Sequence, residues 1–310
     1  MSDFGDNATI EFVTGACAAV IDCCCFHTID TLKVRSQDKR PLLPWDKLKA
    51  TPVTLRPWVS TTSLYQGFST NLFLKVPYMA SLFGFHSLNR KILAEVAPEG
   101  SLSDTSREMV SAFGAGIEAS LLLSPLELIR IQGQNCGKGG LWEATRYCYN
   151  KIGLSGLLSR GMHACMQRES KYCLGQFAFV GVVHSEVTAW AKESHDRSAL
   201  AKTLHDNDAL RTALASIVVG FLCTIVSHPD DVLKTQQQTR LSTYGSNGDS
   251  YRSYLSAFRH VAQNDGMRTL WRGAVWRCCV RVPLGLTVIN TVHPRIRPYV
   301  EVALGSEVVR

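Results

Sequence analysis

Pro125-Leu126-Glu127-Leu128-Ile129-Arg130, with Gln134 nine residues after the proline, interrupts an apolar run that includes Ser120-Leu121-Leu122-Leu123. Met once, such a hexapeptide says little, because an acid and a base three residues apart make an ordinary ion pair on a helix surface. The pattern returns as Pro229-Asp230-Asp231-Val232-Leu233-Lys234 with Gln238, and it stands earlier as Thr28-Ile29-Asp30-Thr31-Leu32-Lys33 with Gln37. The acids Asp30, Glu127 and Asp231 are 97 and then 104 residues apart. Three copies in phase predict an internal repeat, and a repeat governs the whole fold.

The sequence on either side keeps the same phase. Ahead of each motif stands a pair of small residues four apart: Gly15 and Ala19, Ala112 and Gly116, Ser216 and Gly220. That spacing lets transmembrane helices approach closely. Behind each motif comes a second landmark, Leu64-Tyr65-Gln66-Gly67, Leu158-Ser159-Arg160-Gly161 and Leu270-Trp271-Arg272-Gly273. A mostly apolar stretch of bilayer-spanning length then follows, from Phe68 towards Leu93, from Met162 towards Trp190 and from Ala274 to about Tyr299. Between the landmarks lie amphipathic stretches, clearest at 254–261, that suit helices lying on a membrane surface. One copy reads helix, surface helix, helix. The sequence therefore predicts an all-α membrane protein, a single unit over 1–310. It has six transmembrane helices in three pseudo-threefold repeats, near 8–98, 106–194 and 207–301, with short surface helices and both termini on one side.

Bulk composition agrees. The chain of 310 residues is 45% hydrophobic and its mean hydropathy is +0.01, as expected of a lipid-embedded bundle with a polar centre. Its net charge of +7 suits an anionic solute, an anionic membrane surface or nucleic acid. Eleven cysteines, three of them consecutive at Cys23, Cys24 and Cys25, read as reduced packing groups rather than a disulfide framework. No cysteine or histidine spacing suggests a metal site. The first residues, 1–7, carry no basic presequence, so an organelle address is expected to be internal.

These motifs resemble the signature of the mitochondrial carrier family, Pro-x-acid-x-x-base at the ends of odd-numbered helices with a glutamine brace after it, and the resemblance runs from about Ala8 to Tyr299. It implies a multi-pass protein of the mitochondrial inner membrane, an antiporter by family habit. The implied partners are a small-molecule solute and membrane lipids, cardiolipin among them; it implies a monomer with no cofactor. It further implies helix kinks at Pro125 and Pro229, and a matrix gate in which Asp30 pairs with Arg130, Glu127 with Lys234 and Asp231 with Lys33, braced by Gln37, Gln134 and Gln238. Two departures stand out. Thr28 replaces the first proline. On the even helices the family's aromatic-acid-x-x-base motif, which closes the opposite side, has no acid at the expected place around His86, His184 or His293, so that second network is expected to be weak or absent.

By the same resemblance, solute contacts lie halfway along the even helices, beside a recurrent proline. Lys75 stands two residues before Pro77 and Arg281 two before Pro283, while Arg168-Glu169 precedes Lys171, which takes the proline position. An Arg-Glu pair of this kind resembles that of amino-acid carriers. Ionisable residues at mid-membrane depth are costly and become functional candidates by default, although long charged side chains near an interface can instead snorkel to water. Arg277, one turn from Arg281, joins the set. Four bases, Lys75, Arg168, Arg277 and Arg281, against one acid, Glu169, predict a positive cavity and an anionic or zwitterionic solute.

Competing motifs are weak. Gly114-Ala115-Gly116-Ile117-Glu118-Ala119 matches a dinucleotide fingerprint without a preceding strand. The bases and aromatics of 251–276 resemble a nucleic-acid surface but fit the surface helix of the third repeat better, so no nucleic-acid partner is expected. No nucleophile-base spacing suggests an enzyme. Two functions remain: a carrier of a small anionic or zwitterionic metabolite, such as an amino acid or related carboxylate, working by alternating access, and a carrier-fold membrane adaptor that has lost transport.

Overall fold

The structure, a computed structural model, describes residues 2–37, 49, 52–65, 68–97, 102–135, 141–194, 198–241, 251–271 and 273–304, and every regular element within them is helical. Among the described residues, six long helical segments form the body. The first span is Ser2–Gln37, the second Phe68–Val96, the third Asp104–Asn135 and the fifth Asp208–Thr239. The fourth runs as Met162–Cys173, a π-helical turn over Leu174–Phe179, and Val180–Glu193. The sixth is Val282–Ala303, entered through a second π-helical turn, Trp276–Arg281. Each span packs on the next and the sixth returns to the first, closing a ring.

Three spans, over Asn7–Thr31, Asp104–Gly133 and Asp208–Thr239, are long and apolar enough to cross a bilayer. The second, fourth and sixth are interrupted by ionisable residues. The outside of the ring exposes large apolar side chains such as Val20, Phe73, Leu121, Leu122, Phe221, Leu222 and Val226; water would penalise such a surface, whereas lipid matches it.

All six small residues ahead of the motifs are buried. A Cβ on Gly116 would lie 2.5 Å from Ser170 Cα in the fourth span, and one on Gly220 2.9 Å from Pro283 Cα in the sixth. Gly15 meets the second span in the same way, at Met79 O, 2.9 Å. Each odd helix thus touches the next even helix at backbone level, which a larger side chain would prevent.

Pro125 and Pro229 lie inside the third and fifth spans. Within each motif the acid and base share one helix face while the two residues between them point elsewhere. Leu128 and Ile129 accordingly pack outside the charged centre, on Ala144, Cys148 and Ile152 of the surface helix Leu141–Ser159. Leu233 packs on Ala257 of the surface helix Tyr254–His260 and on Val261 just after it. The motif is therefore two-sided, presenting charges to the centre and apolar anchors to the surface helix. Arg56–Leu64 is the corresponding helix of the first repeat. Gly161 and Gly273, the last residues of their landmarks, both take positive φ, 77° and 81°, where a side chain would be strained. Gln66, Gly67 and Arg272 lie outside the described residues.

Candidate functional site

The candidate solute contacts and the motif acids meet in one charged belt. Arg168, 9% exposed, donates from Nε to Glu169 Oε1 at 2.6 Å and from Nη1 to Asp231 Oδ1 at 2.8 Å, and its Nη2 lies 3.4 Å from Glu127 Oε2. Arg281 donates to Asp30 Oδ1 at 2.6 Å and to Asp22 Oδ2 at 2.9 Å. Lys75 pairs with Asp22 and lies 3.9 Å from Asp30, and Arg277 lies 3.6 Å from Asp231. Tyr78 donates to Glu169. All four candidate bases thus face carboxylates, and a fifth base, Lys234, pairs with Glu127.

Among the described residues, the positive charge expected in this cavity is met by carboxylates. Five carboxylates, Asp22, Asp30, Glu127, Glu169 and Asp231, meet the five bases Lys75, Arg168, Lys234, Arg277 and Arg281. Counting bases and acids on the even helices alone misses the odd-helix acids, which point into the same space. Burial of ions at this depth is tolerable only with such pairing.

Among the motif residues, Glu127 and Lys234 are in contact. Arg130 feels the charge of Asp30, but no ion pair within 4.0 Å joins them; Asp30 is held by Arg281. Asp231 is held by Arg168 and Arg277. The side chains of Lys33, Gln37 and Gln134 lie outside the described residues. Gln238, fully buried, donates from Nε2 to Ser124 O at 3.1 Å, linking the fifth span to the third beside Pro125 rather than touching the Glu127–Lys234 pair directly. Arg160 of the second landmark donates to Gln237 O at 2.9 Å and Arg240 O at 2.7 Å, occupying carbonyls at the end of the fifth span. In the third motif Asp230, beside the signature acid, takes Lys171 at 2.6 Å and Tyr254 at 2.7 Å.

At the opposite pole the sequence led to an expectation of little or no network, and this too is corrected. His86 of the second span meets Glu108 of the third at 2.9 Å, with Arg90 on the same carboxylate at 3.1 Å. His293 of the sixth meets Glu11 of the first at 3.0 Å, with Arg297 at 3.2 Å. His184 of the fourth meets Asp208 of the fifth at 3.1 Å, with Arg211 at 3.0 Å. The missing acids stand on the neighbouring odd helix instead of within the even-helix motif, so a search of that motif alone cannot find them.

The family profile described as "Mitochondrial carrier protein" matches residues 5–96 and 205–289, more than half of the chain. The chain belongs to the mitochondrial carrier family. This carrier is similar to "Mitochondrial substrate carrier family protein X" of Dictyostelium discoideum, 24% identical over 285 residues, covering 90% of this chain and 88% of the relative. It is similar to the "Succinate/fumarate mitochondrial transporter" of Saccharomyces cerevisiae, 24% identical over 311 residues, covering 95% and 92%. "Mitochondrial glutamate carrier 2" of Rattus norvegicus is 23% identical over 316 residues, covering 92% of each.

Three groups in the carrier's centre escaped the sequence reading. Asp22, fully buried, sits two turns before Asp30 in the Cys23-Cys24-Cys25 stretch, where a lone acid within an apolar run was the available signal. Asp230 was hidden by its neighbour in the motif. Gln176 has no charge and no motif, and only its place in a π turn sets it apart.

Proposed function

We propose that this carrier moves a small anionic or zwitterionic metabolite, an amino acid or a related carboxylate, across the mitochondrial inner membrane by alternating access. The observation that carries the reading is the sharing of Arg168 among Glu169, Asp231 and Glu127. A solute carboxylate binding this guanidinium competes with the two motif acids for the same donors. Binding would free Glu127 and Asp231 to change partners, so occupancy of the centre and closure of the motif pole become one equilibrium. A solute shifts that equilibrium only by its difference in affinity between the two arrangements. Glu169, at the rear of Arg168, supplies a carboxylate for a solute ammonium group.

In this reading Asp30, Lys33, Glu127, Arg130, Asp231 and Lys234 form the matrix gate, Gln37, Gln134 and Gln238 brace it, and Lys75, Arg168, Glu169, Arg277 and Arg281 contact the solute. The three repeats, 8–98, 106–194 and 207–301, supply one third of the gate each. The protein works as a monomer among bilayer lipids, cardiolipin included, with no cofactor. The names of two relatives, a succinate/fumarate transporter and a glutamate carrier, fit a carboxylate solute. The adaptor reading rested on a missing outer network, and the carboxylates beside His86, His184 and His293 weigh against it.

The test is uptake of labelled carboxylates and amino acids by purified protein in liposomes, with and without internal counter-solute. Wild-type protein is expected to accumulate at least one of them. Arg168→Lys is expected to lower uptake by about tenfold or more, because a point charge does not reproduce the planar fork of arginine. Failure of the wild type across the whole panel defeats the proposal.

A further inference from the structure

Above the belt, towards the pole of the three histidines, lies an open cavity of about 530 Å³, a size ordinary for a small-molecule site. Its lining includes Gln176, Phe83, Phe177, His86, His293 and Arg297. Gln176 is 4% exposed, and neither its Nε2 nor its Oε1 has a partner among the described residues. A buried amide without hydrogen bonds is costly and rare. Here the amide belongs to a side chain lining the cavity, and the π turn over Leu174–Phe179 carries it there. That is what a group awaiting a ligand looks like.

The surroundings specify the ligand. Phe83 and Phe177 meet edge to face at 5.1 Å, and each stacks on a histidine: His86 on Phe177 at 3.9 Å, His293 on Phe83 at 4.2 Å. Glu108 and Glu11 lie 2.9 and 3.0 Å from those histidines. The cavity lining also carries Arg90, Lys91 and Arg297, of which Arg90 is shared with Glu108 and Arg297 with Glu11 and Glu301. The result is an apolar, aromatic wall for a short carbon chain, a rim of arginines that a solute carboxylate can share with Glu108 and Glu11, and one amide that both donates and accepts.

We infer that this cavity is a solute subsite distinct from the salt-bridged belt, in which Gln176 selects a short-chain carboxylate that bears a second polar group able to donate as well as accept hydrogen bonds, as an amino dicarboxylate does. The inference rests on the transport reading for its purpose, since the subsite holds the solute before it reaches Arg168. In the belt every candidate base faces a carboxylate. In the vestibule the buried amide of Gln176 has no partner among the described residues.

Binding is measured apart from transport, by thermal unfolding of the purified carrier with glutamate, succinate or fumarate. Ligands that bind only the folded state raise the midpoint. Wild-type protein is expected to be stabilised more by glutamate than by succinate or fumarate. Gln176→Leu fills the same volume without orphaned polar atoms, so its ligand-free midpoint is expected to rise by about 2–4 °C while most of the glutamate shift disappears. Gln176→Glu is expected to weaken all three anions. If Gln176→Leu keeps the full glutamate shift and only Arg168→Lys removes it, the solute occupies the belt alone and the subsite is refuted, with the transport reading intact. No shift in wild type with any of the three also refutes it. Liposome uptake, measured separately, decides the transport reading.

Discussion

Arg281 Nη2 lies 2.9 Å from Oδ2 of Asp22, a carboxylate with no solvent exposure in the first span. The contact joins the last span to the first and closes the ring through a pair of ions. Lys75 reaches the same carboxylate from the second span, so one acid holds three helices together.

Asp22→Asn is therefore expected to destabilise the carrier by about 3–5 kcal/mol, because it leaves two buried cations facing an uncharged amide. Thermal unfolding in detergent measures the loss. Asp22→Asn combined with Lys75→Met is expected to recover part of it, since the second change removes one unpaired cation. Unaltered stability in the single variant would show that Asp30 alone satisfies Arg281 and Lys75.

Glu127 and Lys234 meet between the third and fifth spans, and Lys234 is 2% exposed. Exchange of the two charges is the diagnostic change. Glu127→Lys and Lys234→Glu are each expected to abolish uptake in liposomes, and the double variant to regain a measurable fraction of it. Their coupling is expected at about 0.5–3 kcal/mol. Additive losses would mean that the pair does not act as a unit in the transport cycle.

His86, His184 and His293 each face a carboxylate with an arginine beside it. Glu11→Gln, Glu108→Gln and Asp208→Asn together remove the charge from all three contacts and are expected to lower the unfolding midpoint in detergent by about 2–4 °C. An unchanged midpoint would show that these contacts do not fasten the pole.

Tyr254, on the surface helix of the third repeat, donates to Asp230 Oδ1 at 2.7 Å. Burial raises its pKa above the ordinary tyrosine value, and the hydrogen bond to Asp230 raises it further. The folded state thus prefers the protonated phenol. The stabilisation is complete below the unfolded value of about 10 and is lost as pH climbs through the higher folded value. Tyr254→Phe is expected to cost about 1–3 kcal/mol at neutral pH. Denaturant midpoints of the two proteins should converge at strongly alkaline pH, and a constant gap would show that the phenol proton is irrelevant.

The sequence made the helical repeat legible because its signals are local and triplicated: an acid, a base and a pair of small residues at fixed offsets. The ring and the surface helices follow from those offsets. The pairing of the belt was less legible, since a partner three residues away in sequence competes with partners on two other helices. Arg168 illustrates this, being correctly singled out by its depth yet bound to Glu127 and Asp231, 41 and 63 residues distant. Asp22 and Gln176 have no periodic signature at all. Their importance comes from burial, which exists only once the ring is closed.

The close approaches at Gly15, Gly116 and Gly220 have a mechanical consequence. Each brings an odd helix against main-chain atoms of its following even helix, at a distance that leaves no room for a side chain. Between one such pair and the next, the fastenings at the poles are exchangeable charges. The molecule is thus built like a three-bladed iris, with closely joined blades and electrostatic clasps between them.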